Sequence, residues 1–290
     1  MSNVITIEQF FVCVGAQKAG TTWLARTLFS HPDLFMTPVK ELHYFDHLAG
    51  ISQHLNDRKR RSRNRKYHTK RWTQPQRWRE FSGQREWYRS YMKNPIDDDW
   101  YRSLFAHRSG RVFAGEATPE YALIGRAGFQ HLRSLAPNAK ILYILRNPVE
   151  RAWSQLLHHC RKTKIDAGGL SQDDLVGIVT ARDFAPHGDY LSVLADLDAV
   201  FEASQLRVEF YEDIHADRPA ALARICDFIG IDARALPQED LERRYNRSQS
   251  AVMPQAFHEY LQREFAATAD AVGKQLGHVP QAWADEFANL

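Results

Sequence analysis

Phe10-Phe-Val-Cys-Val-Gly-Ala-Gln-Lys-Ala-Gly-Thr-Thr-Trp-Leu24 is the stretch on which the reading of this chain turns. Phe10 to Val14 is a continuous apolar run, the signature of a strand covered on both faces. It runs into Gly15-Ala-Gln-Lys-Ala-Gly-Thr-Thr22, and a helix is predicted to start at the threonines. Glycines allow a tight turn with backbone N–H groups aimed inward, and a helix start adds partial positive charge. With Lys18 and two hydroxyls in the same loop, the segment predicts a cradle for a phosphate-like anion.

The loop is close to the nucleotide-binding pattern G-x-x-x-x-G-K-[ST] but departs from it. Lys18 stands two places before the second glycine, and Thr21 occupies the lysine's usual place. A second string is Lys140-Ile-Leu-Tyr-Ile-Leu-Arg-Asn-Pro-Val-Glu-Arg-Ala-Trp-Ser154. Ile141 to Leu145 reads as another buried strand. Asn147 suits an N-cap, Pro148 the first helical position, and Glu150 the third position of a capping box. Arg146 is thereby predicted at the carboxyl end of a central strand, where open α/β sheets bind ligands. An arginine fork with Ser154 two turns along the next helix would receive a second phosphate.

Together the two strings resemble the sulfotransferases that use 3′-phosphoadenosine 5′-phosphosulfate (PAPS). That resemblance implies a P-loop-like fold. It also implies a donor cradle of Lys18, Ala19, Gly20, Thr21, Thr22 and Trp23, and a 3′-phosphate site of Arg146 and Ser154. Thr37-Pro-Val-Lys-Glu-Leu-His-Tyr-Phe-Asp46 is similar to a string of the heparan-sulfate-type branch and its bacterial relatives. By that likeness Glu41 is the general base, while Lys40 and Lys18 steady charge on the transferring group. His43 stays open as a rival base, since a neutral imidazole serves near pH 7. Gly115-Glu-Ala-Thr-Pro-Glu-Tyr121 resembles a further segment of the branch, with Ala117 where many relatives carry lysine. Glu116 there either assists the base or anchors the loop. Tyr190 and Tyr211, in strings that also look familial, read first as core, with a place near the nucleotide as the alternative. Tyr245-Asn-Arg-Ser-Gln-Ser250 resembles a loop that closes over the donor, which makes Arg247 and Ser248 candidates.

With 290 residues, 44% hydrophobic and 25% charged, the chain has the composition of an ordinary globular protein and length for a sizeable core. Residues 1–290 are read as one domain, with a basic insertion at about 50–86 and a helical segment at about 251–290. Strand candidates near 10–14, 34–36, 112–114, 141–145 and 206–210 alternate with helical stretches. That alternation predicts an α/β fold with a mostly parallel sheet flanked by helices. Leu206 to Asp213 reads as a strand ending in acidic residues. Phe257, Leu261 and Phe265 share a helical face, and Trp283 is predicted to dock on the core.

Residues 1–9 lack the pattern of a secretory signal, and Cys13, Cys160 and Cys226 are dispersed without metal spacing. A cytoplasmic bacterial-type enzyme that needs no metal is therefore the expectation. Eleven of the 22 residues from Arg58 to Arg79 are Lys or Arg, with aromatics between them. A solvated insertion, an acceptor-side lid or membrane-surface contact for anionic groups, and nucleic-acid stacking are the three readings, in that order. The net charge of +3 means that this patch alone would carry such a partner. The acceptor is open among saccharide, lipid and small-metabolite hydroxyls or amines, anionic ones included. A nucleotide kinase and a non-catalytic nucleotide-binding protein are the alternatives.

Overall fold

The computed structural model describes residues 6–73, 83–108, 110–237 and 251–288. Five strands form one sheet: β1 (Phe10–Gly15), β2 (Leu34–Met36), β3 (Phe113–Ala117), β4 (Lys140–Leu145) and β5 (Leu206–Phe210). Their spatial order is β2-β3-β1-β4-β5 and every pairing is parallel. In β1 all six residues are buried, because β3 and β4 flank it and helices cover both faces. Connections leave β1 and β4 in opposite directions, so the switch point lies between their carboxyl ends.

The helices, in chain order, are α1 (Thr21–Phe29), α2 (Tyr44–Leu48), α3 (Asp57–Thr73), α4 (Arg85–Tyr91), α5 (Asp98–Phe105), α6 (Gly125–Leu135) and α7 (Pro148–Thr163). They continue as α8 (Gln172–Val179), α9 (Tyr190–Val200), α10 (Tyr211–Ala216), α11 (Arg218–Ile229), α12 (Gln255–Leu276) and α13 (Gln281–Phe287). The strand expected to reach Asp213 stops at Phe210, and Tyr211 to Asp213 open α10 instead. The C-terminal expectation matches the structure. Phe257 and Leu261 are buried, Phe265 packs beside them, and Trp283 meets Phe210 edge-on at 5.3 Å. Among the described residues, no helix is long and apolar enough to cross a membrane.

The basic segment differs from a solvated insertion. Its described part is helix α3, and Arg60 is buried and fixed at five points. Its guanidinium donates to the carbonyls of Tyr91 (2.6 and 3.1 Å) and Lys93 (2.5 Å), and to Asn94 Oδ1 (2.8 Å) and Asp57 Oδ1 (3.1 Å). Two turns further along that face, at i+7, Tyr67 is buried and stacks on Tyr88 at 4.1 Å. A buried arginine at the start of the helix and a buried tyrosine farther along lay α3 against α4, while Arg58, Arg61, Arg65, Lys66 and Lys70 stay exposed. Residues 74–79 of the basic run lie outside the described residues.

Candidate active site

At the end of β1 the chain turns across the top of β4, where Ala16 N–H donates to the Ile144 carbonyl at 2.7 Å. Lys18 and Gly20 both adopt positive φ, 71° and 80°. Gly20 tolerates this at no steric cost, and a Cβ there would come within 3.0 Å of the Tyr211 ring. The turn ends as the N-cap of α1, so the N–H groups of Thr21 and Thr22 have no carbonyl partner among the described residues. Thr21 and Trp23 are buried, as is Ala19, while Thr22 is half-buried. Lys18 is half-buried, and its ammonium makes no hydrogen bond among the described residues. Burial lowers its pKa, and the charges of Arg161 and Arg146 push the same way while Glu41 opposes them.

Arg146 follows β4 and reaches back to this turn, with Nη1 donating to the Lys18 carbonyl at 3.0 Å. Its guanidinium lies 4.6 Å above the Tyr211 ring, and its Nη2 meets Glu150 at 3.2 Å. Arg146 Nε is buried with no hydrogen-bond partner among the described residues. The cap predicted for α7 forms only in half. Asn147 Oδ1 accepts from Val149 and Glu150 N–H (3.0 and 3.3 Å), but Glu150 does not return the bond. Glu212 accepts the Asn147 N–H at 2.8 Å instead, leaving Glu150 to pair with Arg146. Ser154 is half-buried in α7, and its hydroxyl bonds to no described residue. Tyr190 is a core residue whose hydroxyl donates to the Arg146 carbonyl at 2.6 Å. Tyr211, for which core was the first reading and a place near the nucleotide the alternative, forms the wall between Gly20 and Arg146.

The third string forms a loop in which Glu41 and His43 have φ values of 64° and 62°, a conformation that non-glycine residues seldom adopt. Lys40 and Glu41 form an ion pair. Burial works to raise the Glu41 carboxyl pKa. Lys40, aided by His43 and Arg63, outweighs that and holds it below the ordinary value. His43 is buried with Nδ1 2.8 Å from Asp46 Oδ2, and its Nε2 lies 3.8 Å from Glu41 Oε2. Asp46 is itself fully buried and also accepts from Ser52 Oγ at 2.5 Å.

Glu120 completes the cluster: Glu41, His43 and Glu120 each bring a ligating atom to within 4.8 Å of the others. Burial raises the Glu120 carboxyl, and the charge on Glu41 adds to it. A metal ion would accept that spacing. The Lys40 ammonium already bonded to Glu41 supplies the local positive charge, so no metal is assigned.

Beside Lys40 opens a cavity of about 390 Å³, within the size range of small-molecule sites. Arg26, Lys40, Arg63, Lys66 and Lys70 line it with Tyr67, Tyr88 and Ala117, and among the described residues no carboxylate does. Arg63 is steadied by a bond to the Tyr91 hydroxyl at 2.9 Å.

Lys18, Arg146, Lys40 and Glu41 thus lie within electrostatic reach of one another, with His43 beside Glu41, while Arg247 and Ser248 lie outside the described residues. Sequence reading passed over Asp46, Glu120, Arg63 and Arg161. Asp46, three residues beyond His43 in the quoted string, was findable by that spacing. Glu120, Arg63 and Arg161 reach the cleft only through tertiary contacts.

Comparison with known proteins bears on this arrangement. The pattern of the Sulfotransferase family matches residues 10–235. Among solved structures, a sulfotransferase from Alicyclobacillus acidocaldarius is similar with a TM-score of 0.66 and 23% identity, covering 96% of this chain and 99% of its own. A sulfotransferase from Mycobacterium avium gives a TM-score of 0.53 at 12% identity, covering 91% of this chain and 77% of its own. The sulfotransferase domain of the Synechococcus PCC 7002 olefin synthase gives 0.52 at 17% identity, with 92% and 97% covered. No curated protein matches the sequence. At these identities the structures speak for the fold, and the family pattern spans the loop after β1, the Glu41 loop and Arg146 alike. The chain therefore belongs to the sulfotransferase family.

Proposed function

We propose that this sulfotransferase moves a sulfuryl group from PAPS to a hydroxyl or amine of an acceptor that itself carries negative charge. The observation that supports the donor most is Arg146. It ties the two loops together through the Lys18 carbonyl, and its Nε is buried with no partner among the described residues. A buried donor without a partner costs about 1–3 kcal/mol unless a ligand takes it. In this reading Arg146 and Ser154 hold the 3′-phosphate, and the start of α1 with Lys18 holds the 5′-phosphosulfate. Arg247 and Ser248 are proposed to close over the nucleotide.

The acceptor's O–H or N–H gives its proton to Glu41 as the new bond to sulfur forms. The bond from sulfur to the bridging phosphate oxygen breaks, and its electron pair stays on the departing 5′-phosphate. Lys18 neutralises that charge, and Lys40 keeps Glu41 ionised and aimed. Asp46 holds the Nδ1–H tautomer of His43, which leaves Nε2 facing Glu41 to share the proton. The protein's contribution is mainly positioning and fixed charge.

Calorimetry with 3′-phosphoadenosine 5′-phosphate (PAP), beside 5′-AMP and ATP with and without magnesium, tests the donor. PAP is expected to bind without metal. Arg146→Ala should weaken PAP binding about 10- to 100-fold, the worth of one charge-assisted contact, and leave 5′-AMP little changed. A magnesium-dependent preference for ATP would overturn the reading in favour of phosphoryl transfer.

The acceptor class rests on the cation-lined cavity beside Lys40. With PAP saturating, 4-nitrophenyl β-D-glucuronide is expected to bind tighter than its neutral glucoside twin at low salt. Lys66→Ala/Lys70→Ala should erase about 3- to 10-fold of that preference, the scale of two exposed charge contacts. Equal affinity for the two glycosides would sink the anionic-acceptor reading.

A further inference from the structure

Glu116 lies at the carboxyl end of β3, fully buried, directly beneath the loop that carries Glu41 and His43. Three hydroxyls converge on its carboxylate. Tyr101 and Tyr121 donate to Oε1 at 2.5 and 3.0 Å, and Thr118 donates to Oε2 at 2.8 Å. A hydroxyl has one proton to give and lone pairs to spare. Because Glu116 takes those protons, Thr118 Oγ1 is left to accept the Leu42 N–H at 3.1 Å, and the Tyr121 hydroxyl the Tyr44 N–H at 3.1 Å. Leu42 follows Glu41 and Tyr44 follows His43, so each of the two left-handed residues is succeeded by a held amide, and His43 lies between the two.

We infer that Glu116 is a positioning residue: its carboxylate orients two hydroxyls as acceptors and so clamps the strained Lys40–Tyr44 loop in the geometry that presents Glu41 and His43. The role in turnover rests on the proposed function above, while the clamp itself does not.

An amide or a protonated carboxyl at this point brings a donor where three donors already meet. At least one hydroxyl must then turn its proton away, and where that hydroxyl is Thr118 or Tyr121 the Leu42 or Tyr44 N–H behind it loses its aligned acceptor. Burial pushes the Glu116 carboxyl up to about 7 against the pull of its hydroxyl donors. The groups facing it are Tyr101 from α5, Thr118 and Tyr121 from the turn after β3, and Asp46 from α2, whose negative charge adds to the rise.

Hydrogen exchange resolved to single amides tests the clamp, with kcat measured alongside. In Glu116→Gln the Leu42 and Tyr44 amides are expected to exchange at least about tenfold faster, since a buried bond is lost at one or both. Expected kinetics are a kcat about tenfold lower with the KM for PAPS unchanged. The milder variants Thr118→Val and Tyr121→Phe should each quicken only the matching amide. Wild-type kcat should fall as pH drops below about 7, and the Gln variant should be low and flat through that window. Unchanged exchange in all three variants would overturn the clamp, and faster exchange with kcat unmoved would overturn the positioning role. Because exchange is read without turnover, a failure of the sulfotransferase reading shows separately, as absent PAP binding in the wild type.

Discussion

Glu41→Gln is expected to lower kcat by about 10²- to 10⁴-fold, the range spanned by a lost general base. The change keeps the shape of the side chain and removes only its basicity, so PAP binding at the β1–β4 cleft should stay within about twofold. Lys40, His43 and Arg63 together hold the Glu41 carboxyl below its ordinary pKa. The base is therefore ionised well into mild acid, and any wild-type loss of kcat near pH 7 must belong to another group. Steady-state kinetics on wild type and Glu41→Gln from pH 5 to 9 check this. If the variant kept full activity throughout, Glu41 would be excluded as base. His43, backed by Asp46 at 2.8 Å, would take its place.

Lys18→Ala should cost about 10²- to 10³-fold in kcat, comparable to removing one preorganised donor from a developing anion. Its ammonium sits half-buried at a positive-φ position in the turn between β1 and α1, without a hydrogen-bond partner among the described residues. It is therefore poised for charge that appears only as the phosphate departs. Burial and the neighbouring Arg161 and Arg146 lower its pKa. The protonated form is the one that stabilises the leaving group, so kcat/KM should decline on the alkaline side earlier than an ordinary lysine, near 10.4, would require. An alkaline limb that persists unshifted in Lys18→Ala would assign that titration to a different residue. A variant whose kcat is preserved while the KM for PAPS rises would make Lys18 a binding group only.

The parallel sheet and the loops after β1 and β4 were legible because each depends on local order. Apolar runs of strand length, glycine spacing at residues 15 and 20, and the Asn147-Pro148 helix start are written in neighbouring residues. The strands at residues 34–36 and 206–210 fall where the apolar runs predict them, and the helix from Pro148 ends at Thr163. Reading failed where distant partners compete for one group. Glu150 leaves the capping box because Arg146 and Glu212 offer better-placed bonds. The acidic residues after Phe210 turn into a helix whose first ring packs on Gly20. The basic run was the largest surprise. Its charge suggested solvation, yet Arg60 finds the Tyr91 and Lys93 carbonyls and Asn94 Oδ1 at the end of α4, with Asp57 Oδ1 on its own helix, and burial with hydrogen bonding is tolerable where bare burial is not.

By itself the sequence determined the family, the strand-loop-helix order and the chemical types brought to the cleft, since backbone turns and helix starts depend on residues a few positions apart. Only the tertiary structure decided how the Glu41 loop is held. Leu42 is bonded to a hydroxyl 76 residues away and Tyr44 to one 77 away, and both hydroxyls are aimed by a carboxylate no water can reach. A buried polar group must find its partners wherever packing leaves them, and packing is a property of the whole chain.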